Sequence, residues 1–524
     1  MKTNRRDFIK QVGLIAGATA LPSVAFAKMN DTSEGNPLPE VPEKKDAIKV
    51  RLIFALWHDV QVRETWPNKG YDFRMLMPHI TQTLNSRIPD VQFIPGMAFD
   101  DATAKKIVDE DNAAGNVIGY MVIQMNSWPD CLTYILKQTD KPVLFCSYPY
   151  SGIGGWLTKN AAAIRSGRKG YAFISSMCFD DTVGAAAAFS LLKNGGTNDD
   201  FVAAVTRFRL NHTPEYSGYT PKKDNLKCLS AEKTLAKIKG MKILSVGNGE
   251  SPNSKQIEDD FGIIVESVPF KDVNDIWRAV TEEQAKPVFD QWKKEARAIE
   301  DVSDATLMGV AKMYLAMETL LKRRGAQAIT IDCLDGCYKG QLGAYPCLGF
   351  MQLLTNGLIG VCERDVNSTV ATVLLNVMTK GRMGYISDPV MDSSHRTIIY
   401  AHCVCTRRFF GPDSEPVPFE ILTHSEDRMG ASVRSIAPVG YPTTSVRIMF
   451  SSHKIFVHKA ITVGNDYDDR ACRTKIVAEV PGDYEKLYTQ WDATGWHRVT
   501  VYGDVTKEVE AFAAKIGYEV VYEA

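Results

Sequence analysis

The chain has 524 residues, 45% of them hydrophobic and 23% charged, ordinary globular values that exclude a disordered or fibrous polypeptide. At roughly 100 to 200 residues per domain, this length implies about three domains. Lys and Arg number 61 against 62 Asp and Glu, a formal net charge of −1, so no basic surplus is available to neutralise a phosphate backbone, and nucleic acid is not an expected partner.

Residues 1–27 read as an address rather than as part of the fold. Thr3-Asn4-Arg5-Arg6-Asp7-Phe8-Ile9-Lys10 is followed by the apolar stretch from Val12 to Leu21 and the small-residue exit Ala25-Phe26-Ala27. This resembles a twin-arginine export signal. The apolar run is shorter than the ~20 residues a spanning helix needs, so the expectation is a periplasmic protein with no membrane attachment after cleavage. Export of an already folded chain suits a protein that loads a cofactor first. Residues 28–47 are a polar, Pro- and Glu-containing linker without apolar periodicity.

The first domain is expected over 48–185. Short β-rich runs at Val50–Leu56, Val91–Pro95, Val117–Gln124 and Pro142–Ser147 alternate with helical spacing over Phe73–Leu84, Ala102–Glu110 and Trp128–Lys137. Strands separated by helices of ten or so residues predict a parallel α/β sheet covered on both faces. A second α/β domain over 186–385 repeats the pattern: strands at Met241–Gly247, Gly262–Glu266, Ala328–Asp332 and Leu358–Cys362, and helices near Asp272–Ala279, Val302–Lys322, Cys347–Thr355 and Asn367–Thr379. After Gly384 the texture changes to short alternating runs broken by Gly, Pro and Asp, so 386–524 is expected to form a mainly antiparallel β domain. The fold class is therefore α/β, two Rossmann-like domains followed by a β-rich one.

The eleven cysteines contain no CxxC pair, and most read as buried small hydrophobes rather than as a zinc or redox site. Tyr148-Pro149-Tyr150-Ser151-Gly152-Ile153-Gly154-Gly155-Trp156 follows a strand but lacks the phosphate-loop lysine, which leaves an aromatic, sugar-facing loop or a plain structural one.

The most informative stretch is Gly360-Val361-Cys362-Glu363-Arg364-Asp365-Val366, an apolar strand that ends in acids and opens into a helix. Open α/β sheets bind ligands outside the carboxyl ends of their strands, which is where Glu363 falls. Asp388 ends the next run, Gly384 to Pro389, one helix later. Two such carboxylates suit a divalent cation or an acid–base pair facing one substrate. The bland alternative is that Glu363 caps the following helix, where acids are favoured anyway. A histidine would complete a Mn²⁺-type ligand set, and His402 and His497 both sit at strand ends; spacing does not choose between them.

These residues, together with Pro346-Cys347-Leu348 to Asn356-Gly357 and the late Gly495-Trp496-His497, resemble the L-fucose isomerase and L-arabinose isomerase superfamily. That family's order, two α/β domains and then a mainly β domain, agrees with the pattern above. The resemblance implies one Mn²⁺, or another divalent cation, held by Glu363, Asp388 and His497. It implies an aldose–ketose isomerisation of a small-molecule sugar substrate through an enediol, with Glu363 and Asp388 as catalytic acid and base, and a homo-oligomer is compatible with it. The alternative is an exported carbohydrate-binding protein of the same fold without turnover.

Overall fold

The computed structural model describes residues 38–491, 495 and 497–524. The expected export signal lies outside the described residues. Among these, no helix is long and apolar enough to cross a membrane.

Five strands, β1 (Ile48–Ala55), β2 (Val91–Ala98), β3 (Val117–Gln124), β4 (Val143–Ser147) and β5 (Tyr171–Ile174), form an all-parallel sheet in the order β2-β1-β3-β4-β5. Every residue of β4 is buried, as expected of a strand covered by helices on both faces. The flanking helices have local start and stop signals. Asp101–Ala114 opens on a reciprocal Asp100/Thr103 capping box and stops at Gly115, whose φ of 66° is left-handed. The Tyr148–Trp156 stretch is not an open loop: it turns directly into the helix Ile153–Arg165. Its glycines permit close packing, because a Cβ on Gly155 would fall 1.6 Å from the Ser127 carbonyl oxygen and one on Gly152 2.3 Å from that of Gln124. Trp156 is buried and stacks on Phe145.

The second sheet is also parallel: β6 (Lys242–Val246) and β7 (Ile264–Val268) precede the two-residue β8 (Ile299–Glu300), which leaves for a small separate sheet, and β9 (Ala328–Ile331) and β10 (Ile359–Val361) complete the order β10-β9-β6-β7. The long helix Asp304–Arg324 starts at the Ser303 cap, places Lys322, Arg323 and Arg324 in its last turn, and ends at left-handed Gly325.

The remaining strands are β11 (Tyr385–Asp392), β12 (Thr397–His402), β13 (Phe419–Leu422), β14 (Ser432–Ser435), β15 (Pro442–Met449), β16 (Lys454–Asn465), β17 (Thr474–Glu479), β18 (Arg498–Tyr502) and β19 (Glu519–Tyr522). Antiparallel pairing runs β15-β18-β11-β12-β17-β16, and β15 also pairs with β16, which closes a six-stranded barrel with β19 added alongside β16. Closure removes free strand edges. β13 and β14 pair with β8 in a three-stranded sheet, tying the second α/β unit to the barrel side. A continuous buried apolar cluster runs from Phe145 in the first sheet through Ile329 in the second to Val501 in the barrel.

One placement differs from the sequence expectation. Asp388 does not end a strand: it lies within β11, the first strand of the barrel, and pairs opposite Ala401. The helix Val366–Met378 therefore connects the second sheet to the barrel rather than two strands of one parallel sheet.

Candidate metal centre

At the carboxyl end of β10 the backbone leaves Cys362 and enters two consecutive left-handed residues, Glu363 (φ 60°) and Arg364 (φ 51°). Such a conformation costs a non-glycine residue about 1–3 kcal/mol and persists only where neighbours enforce it. Here Arg364 does so. Its N–H donates to the Ile331 carbonyl at 2.9 Å, and its guanidinium donates to Ser245 Oγ at 3.0 Å and to the carbonyls of Asn248 and Gly249. Gly247 makes the room, since a Cβ there would lie 2.9 Å from Arg364 Cδ. The next residue, Asp365, caps the helix Val366–Met378, accepting from Ser368 N–H at 2.9 Å and Ser368 Oγ at 2.8 Å. The reading of Glu363 as the helix cap is therefore excluded: the turn points it elsewhere and Asp365 takes that place.

The barrel supplies the facing groups from three neighbouring strands. Asp388 lies in β11, His402 ends β12, and His497 precedes β18, whose first residue Arg498 pairs with Ser387. His497 Nε2 is 3.4 Å from Glu363 Oε2 and 3.3 Å from Asp388 Oδ1, and His402 Nε2 is 3.5 Å from Glu363 Oε1. The four ligand atoms of Glu363, Asp388, His402 and His497 all lie within 4.8 Å of one another. His402 is fully buried, whereas the Glu363 side chain is 20% exposed and forms the most accessible wall of the cluster. The structure thus brings together the three residues expected as ligands, and it adds His402 beside His497, where the sequence had posed them as rivals.

Electrostatics explain how these groups coexist. His497 Nδ1 lies 3.0 Å from Asp365 Oδ2, which also accepts from Arg447 at 2.7 Å. A carboxylate at Nδ1 fixes the proton there and makes Nε2 the lone-pair nitrogen. Burial alone would push His497 down, but the Glu363 and Asp388 carboxylates and the Asp365 bond override it and carry the imidazole up to about 10. His402 is likewise held well above its usual range, against burial, by Cys403 and Glu363. Burial would raise Glu363, yet the two histidines keep it low; Arg447 and His497 hold Asp365 well below the carboxylate range. Two buried carboxylates facing two imidazole nitrogens require positive charge between them, as protons or as a cation. His402 Nε2 makes no hydrogen bond with the described residues. A mixed carboxylate and imidazole set with such a nitrogen could hold a divalent metal ion.

Two features went unread in the sequence. Glu426, in the loop after β13, accepts from the Tyr338 hydroxyl. Burial pushes its carboxyl up to about 8; Glu363 and Asp388 add to this, while His424 and Tyr338 oppose it. A carboxylic acid that stays neutral near pH 7 can donate a proton. The second is that several of the buried cysteines converge behind the first cluster. Cys362 Sγ lies 3.0 Å from Cys333 Sγ and 3.7 Å from Cys403 Sγ, and Cys403 Sγ is 3.6 Å from His402 Nδ1. No spacing signal reveals this, because the residues arrive from separate elements.

No family model matches the chain. It is 21% identical over 302 residues to a sulfoquinovose isomerase of Alkalicoccus urumqiensis, covering 54% of this chain and 66% of that protein. It is 21% identical over 216 residues to sulfoquinovose isomerases of Priestia aryabhattai and Priestia megaterium, covering 40% of this chain and 46% of theirs. The chain thus spans less than two thirds of the length of these curated relatives. Among solved structures, a LacI family transcriptional regulator from Bifidobacterium animalis subsp. lactis aligns at 13% identity over 63% of this chain and 87% of that one, with a TM-score of 0.16. An ABC transporter solute binding protein from R. palustris aligns at 12% identity over 84% of this chain and 99% of that one, with a TM-score of 0.22. Scores this low bear on neither fold nor function.

Proposed function

We propose that the chain is a metal-dependent aldose–ketose isomerase acting on a sugar or sugar derivative. The observation that carries the reading is the buried convergence of Glu363, Asp388, His402 and His497, with ligand atoms all within 4.8 Å, from one α/β strand end and three barrel strands. The weak similarity to sulfoquinovose isomerases supports a sugar isomerase.

In this reading Glu363, Asp388, His497 and His402 hold a divalent cation, Mn²⁺ by the nature of the donors. When bound, such a cation polarises a sugar carbonyl as a Lewis acid. Glu363, the most exposed member, takes the C2 proton of an open-chain aldose, exchanges it with water at its exposed edge and delivers a solvent-derived proton to C1. Asp388 carries the hydroxyl proton from O2 to O1. Asp365 and Arg447 orient His497. The export signal read over 1–27 makes the mature protein periplasmic, and units over 48–185, 186–385 and 386–524 remain our division of the chain.

The test is metal analysis of the purified full chain together with a panel of aldoses and ketoses followed by NMR. The proposal expects Mn²⁺-dependent conversion that is lost in Glu363→Gln. Sugar binding without conversion would return the chain to an exported carbohydrate-binding protein, and neither binding nor conversion would refute both.

A further inference from the structure

Behind the oxygen-rich cluster lies a second set of donors of different chemistry. Sγ of Cys347, Sγ of Cys403 and a ring nitrogen of His424 lie within 4.8 Å of one another, and all three residues are buried. Cys362 Sγ, 3.7 Å from Cys403 Sγ, borders this trio without lying within 4.8 Å of all its members. Sulfurs that share a tetrahedral zinc at about 2.3 Å lie about 3.8 Å apart, close to the Cys362–Cys403 separation. A second observation points the same way. His424 Nδ1 is 3.2 Å from Asp427 Oδ1, and Asp427 also accepts from the Tyr345 hydroxyl. This carboxylate–histidine pairing fixes the tautomer and leaves Nε2 as the lone-pair nitrogen, the arrangement that supports metal-ligating histidines.

We propose that Cys347, Cys403 and His424 bind a second, soft cation of the Zn²⁺ class, with Cys362 drawn in from beside Cys403 as the fourth donor, back to back with the carboxylate and imidazole cluster. The donors come from the start of the helix Cys347–Thr355, the end of β10, the end of β12 and the loop after β13, so the ion ties the second α/β unit to the barrel and the small sheet. Binding is a ligand exchange without redox change: three thiols release their protons to solvent, and three thiolates with one neutral imidazole enclose the cation. The two clusters share backbone. Cys362 precedes Glu363 and Cys403 follows His402, so neighbouring residues serve opposite sides, and the soft cation would pin the left-handed turn that presents Glu363. The proposal does not depend on the isomerase reading.

The test uses the full chain purified under reducing conditions, stripped with chelator and reloaded with Zn²⁺ or Co²⁺. The proposal expects one equivalent of Zn²⁺ with sulfur neighbours in its X-ray absorption fine structure, and a sulfur-to-cobalt charge-transfer band in the Co²⁺ form. Cys403→Ser and Cys347→Ser should lower Zn²⁺ affinity at least ~10-fold and abolish that band. Glu363→Gln should leave the band in place. The absorption fine structure of the unmodified chain decides the matter even where a serine variant fails to fold. Zinc with oxygen and nitrogen neighbours alone, no retained zinc, or a Cys333–Cys362 disulfide in the reloaded chain would overturn the proposal. A sulfur-bound cobalt in a chain that converts no sugar when Mn²⁺ is also supplied would sink the isomerase reading only.

Discussion

Removing the Glu523 carboxylate tests how the barrel holds His497. Glu523, Arg498 and His458 have fully buried side chains. Glu523 accepts from Arg498 Nε at 3.1 Å and lies 2.9 Å from His458 Nδ1, while His458 Nε2 lies 2.8 Å from the Tyr400 hydroxyl. The Arg498 guanidinium stacks over Trp491 at 3.9 Å and donates to the His497 carbonyl at 3.1 Å. In Glu523→Ala this guanidinium stays buried without its carboxylate, which costs about 3–5 kcal/mol. An independent route gives a similar figure. Burial would raise the Glu523 carboxyl, but Arg498 and His458 outweigh it and depress it from 4.5 to about 2, a coupling of about 3 kcal/mol. Because the folded value is depressed, this stability is present above pH 4.5 and is lost as pH falls toward 2. Amide hydrogen exchange by mass spectrometry reads the effect locally, as suits a multidomain chain without a single unfolding transition. At 1.4 kcal/mol per tenfold, exchange over Arg498–Tyr502 should accelerate about 100-fold or more at neutral pH in Glu523→Ala. Acceleration below ~10-fold, or the same acceleration over Ile48–Ala55 in the first sheet, would refute the reasoning.

Asp365→Asn should weaken divalent cation binding about 10- to 100-fold by titration calorimetry, because the amide no longer fixes the His497 tautomer; unchanged affinity would remove Asp365 from the centre. His497→Ala and His402→Ala should each cost at least ~10-fold in the same assay, and no loss at His402 would leave its buried ring nitrogen unexplained. Since His497, carried up to about 10, and His402, held well above its usual range, both keep their protons at neutral pH in the metal-free protein, cation binding must displace two. The logarithm of affinity should then rise by about two per pH unit above neutral, and a flat profile would contradict it. Gly155→Ala forces a Cβ to within 1.6 Å of the Ser127 carbonyl oxygen and should destabilise the first lobe by at least about 1–3 kcal/mol. Unchanged amide hydrogen exchange over Ile153–Arg165 would show that the helix can shift freely.

The regular elements were legible where one periodicity dominated. The strand Val117–Gln124 and the helix Cys347–Thr355 lie where the sequence pattern places them. Asp388 ends the alternating run in the sequence, yet β11 continues through Pro389, which lies opposite Tyr400 of β12, to Asp392. Glu363 stood out as an acid at a strand end, but the left-handed turn that aims it depends on Arg364 reaching Ser245, 119 residues away. His402 and His497 stayed alternatives because the lateral order β18-β11-β12 is a property of the closed barrel and not of spacing. Glu426 and the converging thiols were illegible for the same reason: burial and proximity between distant segments create their chemistry.

The most direct test of the isomerase reading is deuterium exchange during turnover. The Mn²⁺-loaded full chain is incubated in D₂O with the sugars of the panel, and NMR follows C1 and C2. The account predicts ketose formation with solvent deuterium at the carbon that receives the proton, and loss of both signals in Glu363→Gln. Isomer formation without solvent deuterium in any sugar, or deuterium incorporation that persists undiminished in Glu363→Gln, would contradict it.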